Sequence, residues 1–263
     1  MHKITFKGGK LAFTVNGNRG PTVMLLHGFL ESQQMWEHYA PALAKSRRVI
    51  VLDLPGHGKT DCLGYVHTME LMAEAMLAVL NHLKCRKAIL IGHSMGGYAA
   101  LAFAERYPDH VKGLCLFFST ARADSKAKKI GRDQAIKMVK ENHKSFIRKS
   151  IPLLFRPKNR AVFRSELNAL KKQALKTPKR GIIAALEGMK LRPDREILLK
   201  FAPYPVHFVI GQRDPVLDYS ELIDQTKHGS YITYTLLTET GHMGFIEAKS
   251  TCLKDLRKFI QRC

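Results

Sequence analysis

Apolar residues recur at helical spacing in several segments of this chain. Between those segments lie seven short, nearly continuous apolar runs, which limit most strongly how the chain can fold. They span residues 10–15, 22–26, 48–52, 87–91, 111–118, 206–210 and 231–237. Strands buried on both faces of a parallel sheet typically form such runs, whereas half-exposed antiparallel strands alternate apolar and polar residues. Strands that alternate with helices imply right-handed crossovers. We therefore predict an α/β protein with a doubly wound, mostly parallel sheet.

The segment 120–203 contains no convincing strand. Its apolar residues have helical spacing, and four prolines divide it into several predicted amphipathic helices: Pro152, Pro157, Pro178 and Pro193. The whole chain, with 263 residues of which 45% are hydrophobic, is large enough to bury one sizeable core. We predict a core domain of residues 1–119 and 204–263, with residues 120–203 inserted as a helical cap.

Most of the net charge of +21 lies in this middle segment. Residues 122–195 contain 22 Lys or Arg and 6 Asp or Glu, a net charge of +16. One interpretation is a solvated face on surface helices, and the other is a surface for an acidic partner such as a phosphorylated carrier, an anionic lipid face or nucleic acid. No helix-turn-helix, zinc-finger or aromatic RNA-binding signature is present, so a nucleic-acid partner is not expected.

Several features favour a cytoplasmic protein. The polar N-terminus has no apolar stretch typical of a signal peptide, and no window approaches the roughly 18 apolar residues that cross a bilayer. The five cysteines are odd in number, scattered and without Cys-x-x-Cys spacing: Cys62, Cys85, Cys115, Cys252 and Cys263. This pattern predicts reduced thiols, with neither a disulfide framework nor a zinc site.

The sequence GHSMGG at residues 92–97 carries the strongest chemical signal. It follows the apolar run 87–91 and opens a predicted helix that ends before Pro108. G-x-S-x-G between a strand and a helix is typical of a nucleophile elbow, a turn so tight that its serine is held in a strained conformation. We therefore predict that Ser94 is a nucleophile. The N–H of the next residue, Met95, is predicted to help bind an oxyanion.

A serine needs a base to take its proton, and the base needs a carboxylate to orient it. Asp214 follows the run 206–210 and His242 follows the run 231–237, so the order along the chain is Ser, Asp, His. Parallel strands would bring all three loops to one rim of the sheet. Asp218 is the alternative carboxylate. No histidine has the spacing of a metal site such as H-E-x-x-H, and no metal or cofactor is predicted.

With these motifs, the chain resembles a single-domain α/β-hydrolase. The matching landmarks are His27-Gly28-Phe29, residues 53–58 (DLPGHG), residues 92–97, Asp214 and Gly241-His242, which together span nearly the whole chain. The resemblance implies a sheet of about eight strands, and it implies that the backbone N–H of Phe29 is the second oxyanion donor. The side chains of Phe29, Trp36 and Met95 either line an acyl pocket or belong to the core.

The same motifs occur in esterases, lipases, thioesterases, amidases, perhydrolases, carbon–carbon hydrolases and some lyases. The fold therefore does not determine the substrate. We predict hydrolysis of a carboxylic ester or thioester through an acyl-enzyme on Ser94. A serine at this position argues against haloalkane dehalogenases and epoxide hydrolases, which use an aspartate.

Three alternatives stay open: a menaquinone-pathway-like lyase, a cofactor-free perhydrolase and a non-catalytic ligand-binding member. Residues 27–30 (HGFL) and 94–97 (SMGG) resemble the lyase, but Tyr98 stands where that group typically carries an arginine. The triad and the cap also resemble the biotin-pathway carboxylesterase, which makes an anionic or carrier-linked acyl substrate one candidate. The sequence leaves the oligomeric state open.

Overall fold

The computed structural model describes all 263 residues, Met1–Cys263. It contains one sheet of eight strands: β1 (His2–Phe6), β2 (Gly9–Asn16), β3 (Thr22–Leu26), β4 (Arg48–Leu52), β5 (Ala88–His93), β6 (Val111–Phe117), β7 (Val206–Gly211) and β8 (Ile232–Leu237). The strand order is β1-β2-β4-β3-β5-β6-β7-β8. β1 and β2 are antiparallel to their neighbours, and the other strands are parallel. The predicted α/β fold with a mostly parallel sheet is confirmed.

Eleven α-helices surround the sheet: α1 (Tyr39–Ala44), α2 (Met69–His82), α3 (Met95–Arg106), α4 (Lys126–Leu153), α5 (Asn159–Val162), α6 (Arg164–Ala174), α7 (Lys179–Leu191), α8 (Glu196–Phe201), α9 (Tyr219–Thr226), α10 (Gly244–Glu247) and α11 (Lys249–Arg262). Short 3-10 helices span Gln33–Trp36 and Pro108–His110. None of the helices combines the length and the apolar character needed to cross a membrane.

The seven predicted runs correspond to β2–β8, and the first strand was not predicted. β1 pairs antiparallel with β2 through a tight turn at Lys7 and Gly8, both of which have positive φ angles. Every residue of β1 is at least partly exposed. A strand that lies on the surface at the edge of a sheet needs no continuous apolar run, so its sequence lacks the signal that marks the buried strands.

Burial explains why the central strands were predictable. Every residue of β5 and of β7 is buried, and α2 packs against α3 on the outside of the sheet. Fully burying a leucine or isoleucine side chain contributes roughly 1.5–3 kcal/mol. The core formed in this way holds the carboxyl ends of the strands rigidly, and the candidate site lies at those ends.

Helices α4–α8 all lie between β6 and β7, within residues 120–203, which we call the insertion. Its α7 contacts the loop before α2 backbone to backbone: the N–H of His67 donates to the carbonyl of Ala184, with 2.8 Å between nitrogen and oxygen. Gly181 and Gly188 permit this contact, because a Cβ on either would overlap the carbonyl of Gly56 or of His67. The division into a core domain and a cap domain stays a prediction.

The helix break predicted at Pro152 lies one residue from the observed end of α4. Helix α4 passes through Pro152 and ends at Leu153. Because the proline lies in the last turn, the hydrogen bond that it removes and the distortion that it causes are confined to the end of the helix. The irregular residue inside α4 is instead Asn142, with φ −150° and ψ 89°. Pro157 and Pro193 lie between helices, and Pro178 is the N-cap of α7.

Candidate active site

Ser94 occupies the sharp turn between β5 and α3, with φ 48° and ψ −114°. Such a conformation costs a non-glycine residue about 1–3 kcal/mol and persists only where its surroundings enforce it. The N–H of Ser94 donates to the carbonyl of Phe117 (3.1 Å), and the hydroxyl of Ser119 donates to the carbonyl of Ser94 (2.7 Å). A Cβ on Gly96 would lie 2.6 Å from the carbonyl oxygen of Leu26, so the turn requires glycine there.

The structure brings Ser94, Asp214 and His242 into one hydrogen-bonded chain. Nε2 of His242 lies 2.9 Å from the hydroxyl oxygen of Ser94, and Nδ1 lies 2.7 Å from Oδ2 of Asp214. Because a carboxylate only accepts, Nδ1 carries the hydrogen and Nε2 presents its lone pair to the serine hydroxyl. This is the arrangement in which the imidazole can take a proton from Ser94.

Asp214 is held in place by its second oxygen. Oδ1 accepts from the N–H groups of Val216 (2.8 Å) and Leu217 (3.0 Å), and the side chain is inaccessible to solvent. The insertion fixes the other partner, because the N–H of His242 donates to the carbonyl of Leu154 at 3.0 Å. The carboxylate and the imidazole therefore have fixed positions before any ligand binds.

The alternative carboxylate, Asp218, has a different role. It is the N-cap of α9, where Oδ1 accepts from the N–H of Ser220 (2.8 Å) and from its hydroxyl (2.6 Å). These hydrogen bonds lower the pKa of Asp218 below its ordinary value. The structure pairs Asp218 with no histidine.

The backbone N–H groups of Phe29 and Met95 donate to no other group of the protein. Met95 is the first residue of α3, where unpaired N–H groups and the helix dipole favour negative charge. Phe29 follows β3, which lies next to β5 in the sheet, and its side chain shares a cavity with Ser94. Neither N–H group is therefore occupied by an acceptor of the protein.

That cavity has a volume of about 110 Å³. Ten residues line it: Phe29, Glu31, His93, Ser94, Tyr98, Arg132, Leu154, Met189, Val216 and His242. Arg132, Leu154 and Met189 belong to the insertion. The sequence analysis missed Glu31 and Arg132, and their only signal was a charged residue close to a motif or within a charged helix.

Of the three side chains considered for the acyl pocket, only Phe29 lines the cavity. Trp36 is fully buried in the core, with its ring centroid 5.6 Å from that of Tyr39 and 5.7 Å from that of Phe117. The Met95 side chain is also fully buried and does not line the cavity. The placement of Trp36 and Met95 in the pocket is therefore corrected to a role in the core, where aromatic and apolar packing holds them.

A buried carboxylate holds two arginines beside the cavity. Asp124 accepts from Arg132 and lies 2.8 Å from the guanidinium of Arg192, which itself stacks 3.9 Å above the centre of the Tyr98 ring. Burial alone would raise the pKa of Asp124, but the two guanidinium groups outweigh it and lower that pKa. The wall of the cavity therefore carries an arginine, Arg132, that is ion-paired with Asp124.

Three buried histidines near the site support loops. Burial lowers the pKa of His27, of His57 to about 3 and of His67 to about 4, so all three are neutral at pH 7. Nε2 of His27 accepts from the N–H of Leu54 at 2.9 Å. No group of three or more His, Cys, Asp or Glu side chains is placed to hold a metal ion.

The comparisons with known proteins agree with this fold. The sequence profile of the alpha/beta hydrolase fold family matches residues 21–249. The chain therefore belongs to the alpha/beta hydrolase fold family, which confirms the resemblance drawn from the sequence. Its class is that of a hydrolase.

Three similar proteins represent the relatives. A thermophilic esterase from Thermogutta terrifontis, solved with malate bound, superimposes with a TM-score of 0.93 and 30% identity over 99% of this chain and 98% of that one. The acetyltransferase component of an acetoin cleaving system of Pseudomonas putida is 28% identical over 97% of this chain and 68% of that protein. A putative 2-succinyl-6-hydroxy-2,4-cyclohexadiene-1-carboxylate synthase of Bacillus subtilis is 37% identical over 39% of this chain and 38% of that protein.

Proposed function

We propose that the protein is a serine hydrolase that cleaves a carboxylic ester or thioester through an acyl-enzyme on Ser94. The observation that carries the proposal is the hydrogen-bonded chain from Ser94 through His242 to Asp214, with separations of 2.9 and 2.7 Å. It is supported by the two unpaired N–H groups of Phe29 and Met95. A similar esterase covering the whole chain favours ester chemistry over other reactions of the family.

In the first half-reaction, the hydroxyl oxygen of Ser94 attacks the acyl carbon while Nε2 of His242 takes the hydroxyl proton. Asp214 stabilises the imidazolium that forms. The N–H groups of Phe29 and Met95 bind the oxyanion, a contribution worth roughly 3–4 kcal/mol per donor in comparable sites. The intermediate then collapses, and Nε2 gives its proton to the departing alcohol or thiol.

In the second half-reaction, water takes the place of the leaving group. His242 removes a proton from that water as its oxygen attacks the acyl carbon, and the same two N–H groups bind the second oxyanion. Collapse of this intermediate breaks the bond to Ser94, whose oxygen recovers a proton from Nε2. The products are a carboxylic acid and the free enzyme, and neither half-reaction needs a metal or a cofactor.

The size of the cavity limits the length of the acyl group that it can hold. Pockets for drug-sized ligands usually measure about 300–1,000 Å³, whereas the cavity at Ser94 measures about 110 Å³. Its wall is mostly apolar, with Phe29, Leu154, Met189 and Val216. We infer a small-molecule substrate with a short acyl chain. That the enzyme works in the cytoplasm and acts on anionic or carrier-linked acyl groups stays a prediction.

Fluorophosphonate labelling and a panel of p-nitrophenyl esters and acyl-thioesters of increasing chain length test this proposal. We expect labelling at Ser94, steady turnover, and the highest kcat/KM for the shortest acyl groups. Ser94→Ala is the control and should lose both labelling and turnover. A native chain that neither reacts nor turns over any acyl substrate would refute the proposal.

A menaquinone-pathway-like lyase is the second candidate, favoured by the local similarity to the Bacillus subtilis synthase and by the Arg132 guanidinium in the cavity wall. The arginine typical of that group is replaced by Tyr98, which argues against it. Reaction in ¹⁸O-labelled water distinguishes the hydrolase from the lyase. Hydrolysis places one labelled oxygen in the acid product, whereas elimination places none.

A further inference from the structure

His93 precedes the nucleophile, and both of its ring nitrogens face hydrogen-bond acceptors. Nδ1 lies 2.9 Å from Oε2 of Glu31, and Nε2 lies 3.1 Å from the carbonyl oxygen of His242. The residue is 1% exposed, so water cannot substitute for either partner. A neutral imidazole has one N–H and could satisfy only one of two such acceptors. The geometry therefore calls for a doubly protonated ring or for a proton on Glu31.

Glu31 connects this ring to the loop that follows β3. The same oxygen, Oε2, accepts the N–H of Gly28 at 2.6 Å, one residue before the free N–H of Phe29. A Cβ at Gly28 would lie 2.6 Å from Nδ1 of His93 and 2.7 Å from Oε2 of Glu31. The loop thus leaves room for this contact only because residue 28 is glycine.

We propose that Glu31 and a protonated His93 form a buried ion pair that positions the Phe29 oxyanion donor and His242 relative to Ser94. Through Gly28 the pair holds the loop of the oxyanion donor, and through the backbone carbonyl it holds the loop of the base. Neither residue touches the reacting atoms, so both are positioning residues. Their effect on turnover rests on the proposed function.

The surroundings of the pair favour the charged form. Burial opposes the charge on His93, but the Glu31 carboxylate, its hydrogen bond and the His242 carbonyl outweigh burial and raise the pKa of His93. Burial likewise opposes the charge on Glu31, yet His93 lowers the pKa of that carboxyl. The other titratable groups that bear on the pair are Asp214, which favours the cation, and the rings of His27 and His242.

Loss of the His93 proton would turn one hydrogen bond into a repulsion. If Nε2 is deprotonated, its lone pair faces the carbonyl oxygen of His242 at 3.1 Å. That contact would displace the loop carrying the base, and displacements of about 1 Å can cost up to about 100-fold in rate. Activity is therefore expected to fall at high pH, above the ordinary titration range of histidine.

The first test is spectroscopic and needs no turnover. Two-bond ¹H–¹⁵N correlation spectra of the ¹⁵N-histidine-labelled native protein, with His93 assigned by a His93→Asn variant, report the protonation of each ring nitrogen. We expect both nitrogens of His93 to be protonated from pH 6 to pH 8. An unprotonated Nδ1 in this range, with the proton on Glu31 or absent, would overturn the ion pair even if the protein is a good esterase.

The second test is kinetic. In Glu31→Gln a neutral amide replaces the carboxylate. Its oxygen can still accept from the Gly28 N–H, but it carries no negative charge to balance a protonated His93. We expect kcat to fall roughly 10- to 100-fold with KM little changed, and the high-pH limb to move to lower pH. A variant with native kcat and an unmoved limb would refute the positioning role.

His207→Asn is the matched control for simple destabilisation. His207 lies near the start of β7, away from the strand end that leads to Asp214, and its ring nitrogens contact Asp255 (2.8 Å) and Thr233 (2.9 Å). Removing this partly buried histidine–carboxylate pair should lower the unfolding free energy but leave the pH profile of kcat in place. If both variants change that profile alike, the effect of Glu31 is structural and the positioning role is refuted.

Discussion

The loops that form the candidate site differ from the surface of the insertion in how their charge is balanced. Ser94, Asp214, His242, Glu31 and His93 all lie at or just after the carboxyl ends of strands, and the charged groups among them are buried and paired. Residues 122–195 instead carry 22 cationic side chains, and only six of these form ion pairs: Arg122, Arg132, Arg156, Lys190, Arg192 and Arg195.

The sheet loops contain the groups that we propose to react, whereas the insertion lines part of the cavity. The insertion gives the cavity Arg132, Leu154 and Met189 but none of the groups that we propose to transfer protons. Its one histidine is His143, while the other eleven belong to the rest of the chain. Changes in the sheet loops should therefore alter the chemical step and its pH dependence, whereas changes on the insertion should alter which substrates arrive and how fast.

The largest effect is expected from Ser94→Ala. It removes the covalent route, so kcat should fall roughly 10⁴- to 10⁶-fold while the far-UV circular dichroism stays native. His242→Ala should cost about as much. The double variant should lose little more than either single one, because the two residues act as a unit. Losses that multiply in the double variant would show that serine and histidine act independently.

Asp214→Asn should be the next most damaging change. The amide cannot balance the imidazolium and can hold the ring in the wrong tautomer, so kcat should fall roughly 10³- to 10⁴-fold. Asp218→Asn is the matched control, since it alters a carboxylate four residues away that only caps α9. The control should cost about 1 kcal/mol of stability or less and leave kcat near native. A larger loss of kcat in Asp218→Asn than in Asp214→Asn would mean that the orienting carboxylate is misassigned.

The sequence predicted the parts of this arrangement that have a local signal. Buried parallel strands require continuous apolar runs, and the elbow requires small residues around Ser94, so both could be recognised without a structure. The prediction that Ser94, Asp214 and His242 lie close together followed from parallel strands that end at one rim of the sheet. These features follow from backbone geometry, which constrains residue type position by position.

The parts that escaped prediction depend on contacts between distant residues. Glu31 and His93 are 62 positions apart, and neither lies in a local sequence pattern that indicates its partner. Arg132 lies in a helix so rich in cations that the sequence does not show which of them faces the cavity. Trp36 is apolar enough for either a pocket or the core, and only the packing against Tyr39 and Phe117 decides between them.

Acid should destabilise the protein through the sheet loops. The pKa of His57 is lowered to about 3, so between its ordinary value of 6.5 and that pH the unfolded chain binds a proton that the folded protein does not. Stability is therefore lost as the pH falls, by about 2 kcal/mol for this imidazole at pH 5. Urea unfolding at pH 7 and pH 5 should show a smaller loss in His57→Gln than in the native protein.

His82→Gln is the control for that measurement, because His82 is exposed. Its loss of stability between pH 7 and pH 5 should match that of the native protein. If His57→Gln loses as much stability as the native protein and His82→Gln, His57 is not the group through which acid acts. His67, with a pKa of about 4, is then the next residue to change.

The smallest effect concerns the unpaired charge of the insertion. Sixteen of its cationic side chains in residues 122–195 form no ion pair, and their summed field can attract an anionic substrate over distances longer than a contact. Arg132 is unsuitable for testing this, because it is paired with Asp124 at the cavity wall. Exposed lysines in the first half of α4 are suitable: Lys126, Lys128, Lys129 and Lys137.

Changing these four lysines to Gln should lower kcat/KM for an anionic short ester several-fold at low salt and leave kcat unchanged, because steering acts on the association rate. A neutral ester of the same length is the control and should not respond. Raising the ionic strength to about 0.15 M, where screening acts over about 8 Å, should bring the native protein and the variant closer together. If both esters respond alike to salt and the variant matches the native protein, the charge of the insertion is only a solvated surface and does not select substrates.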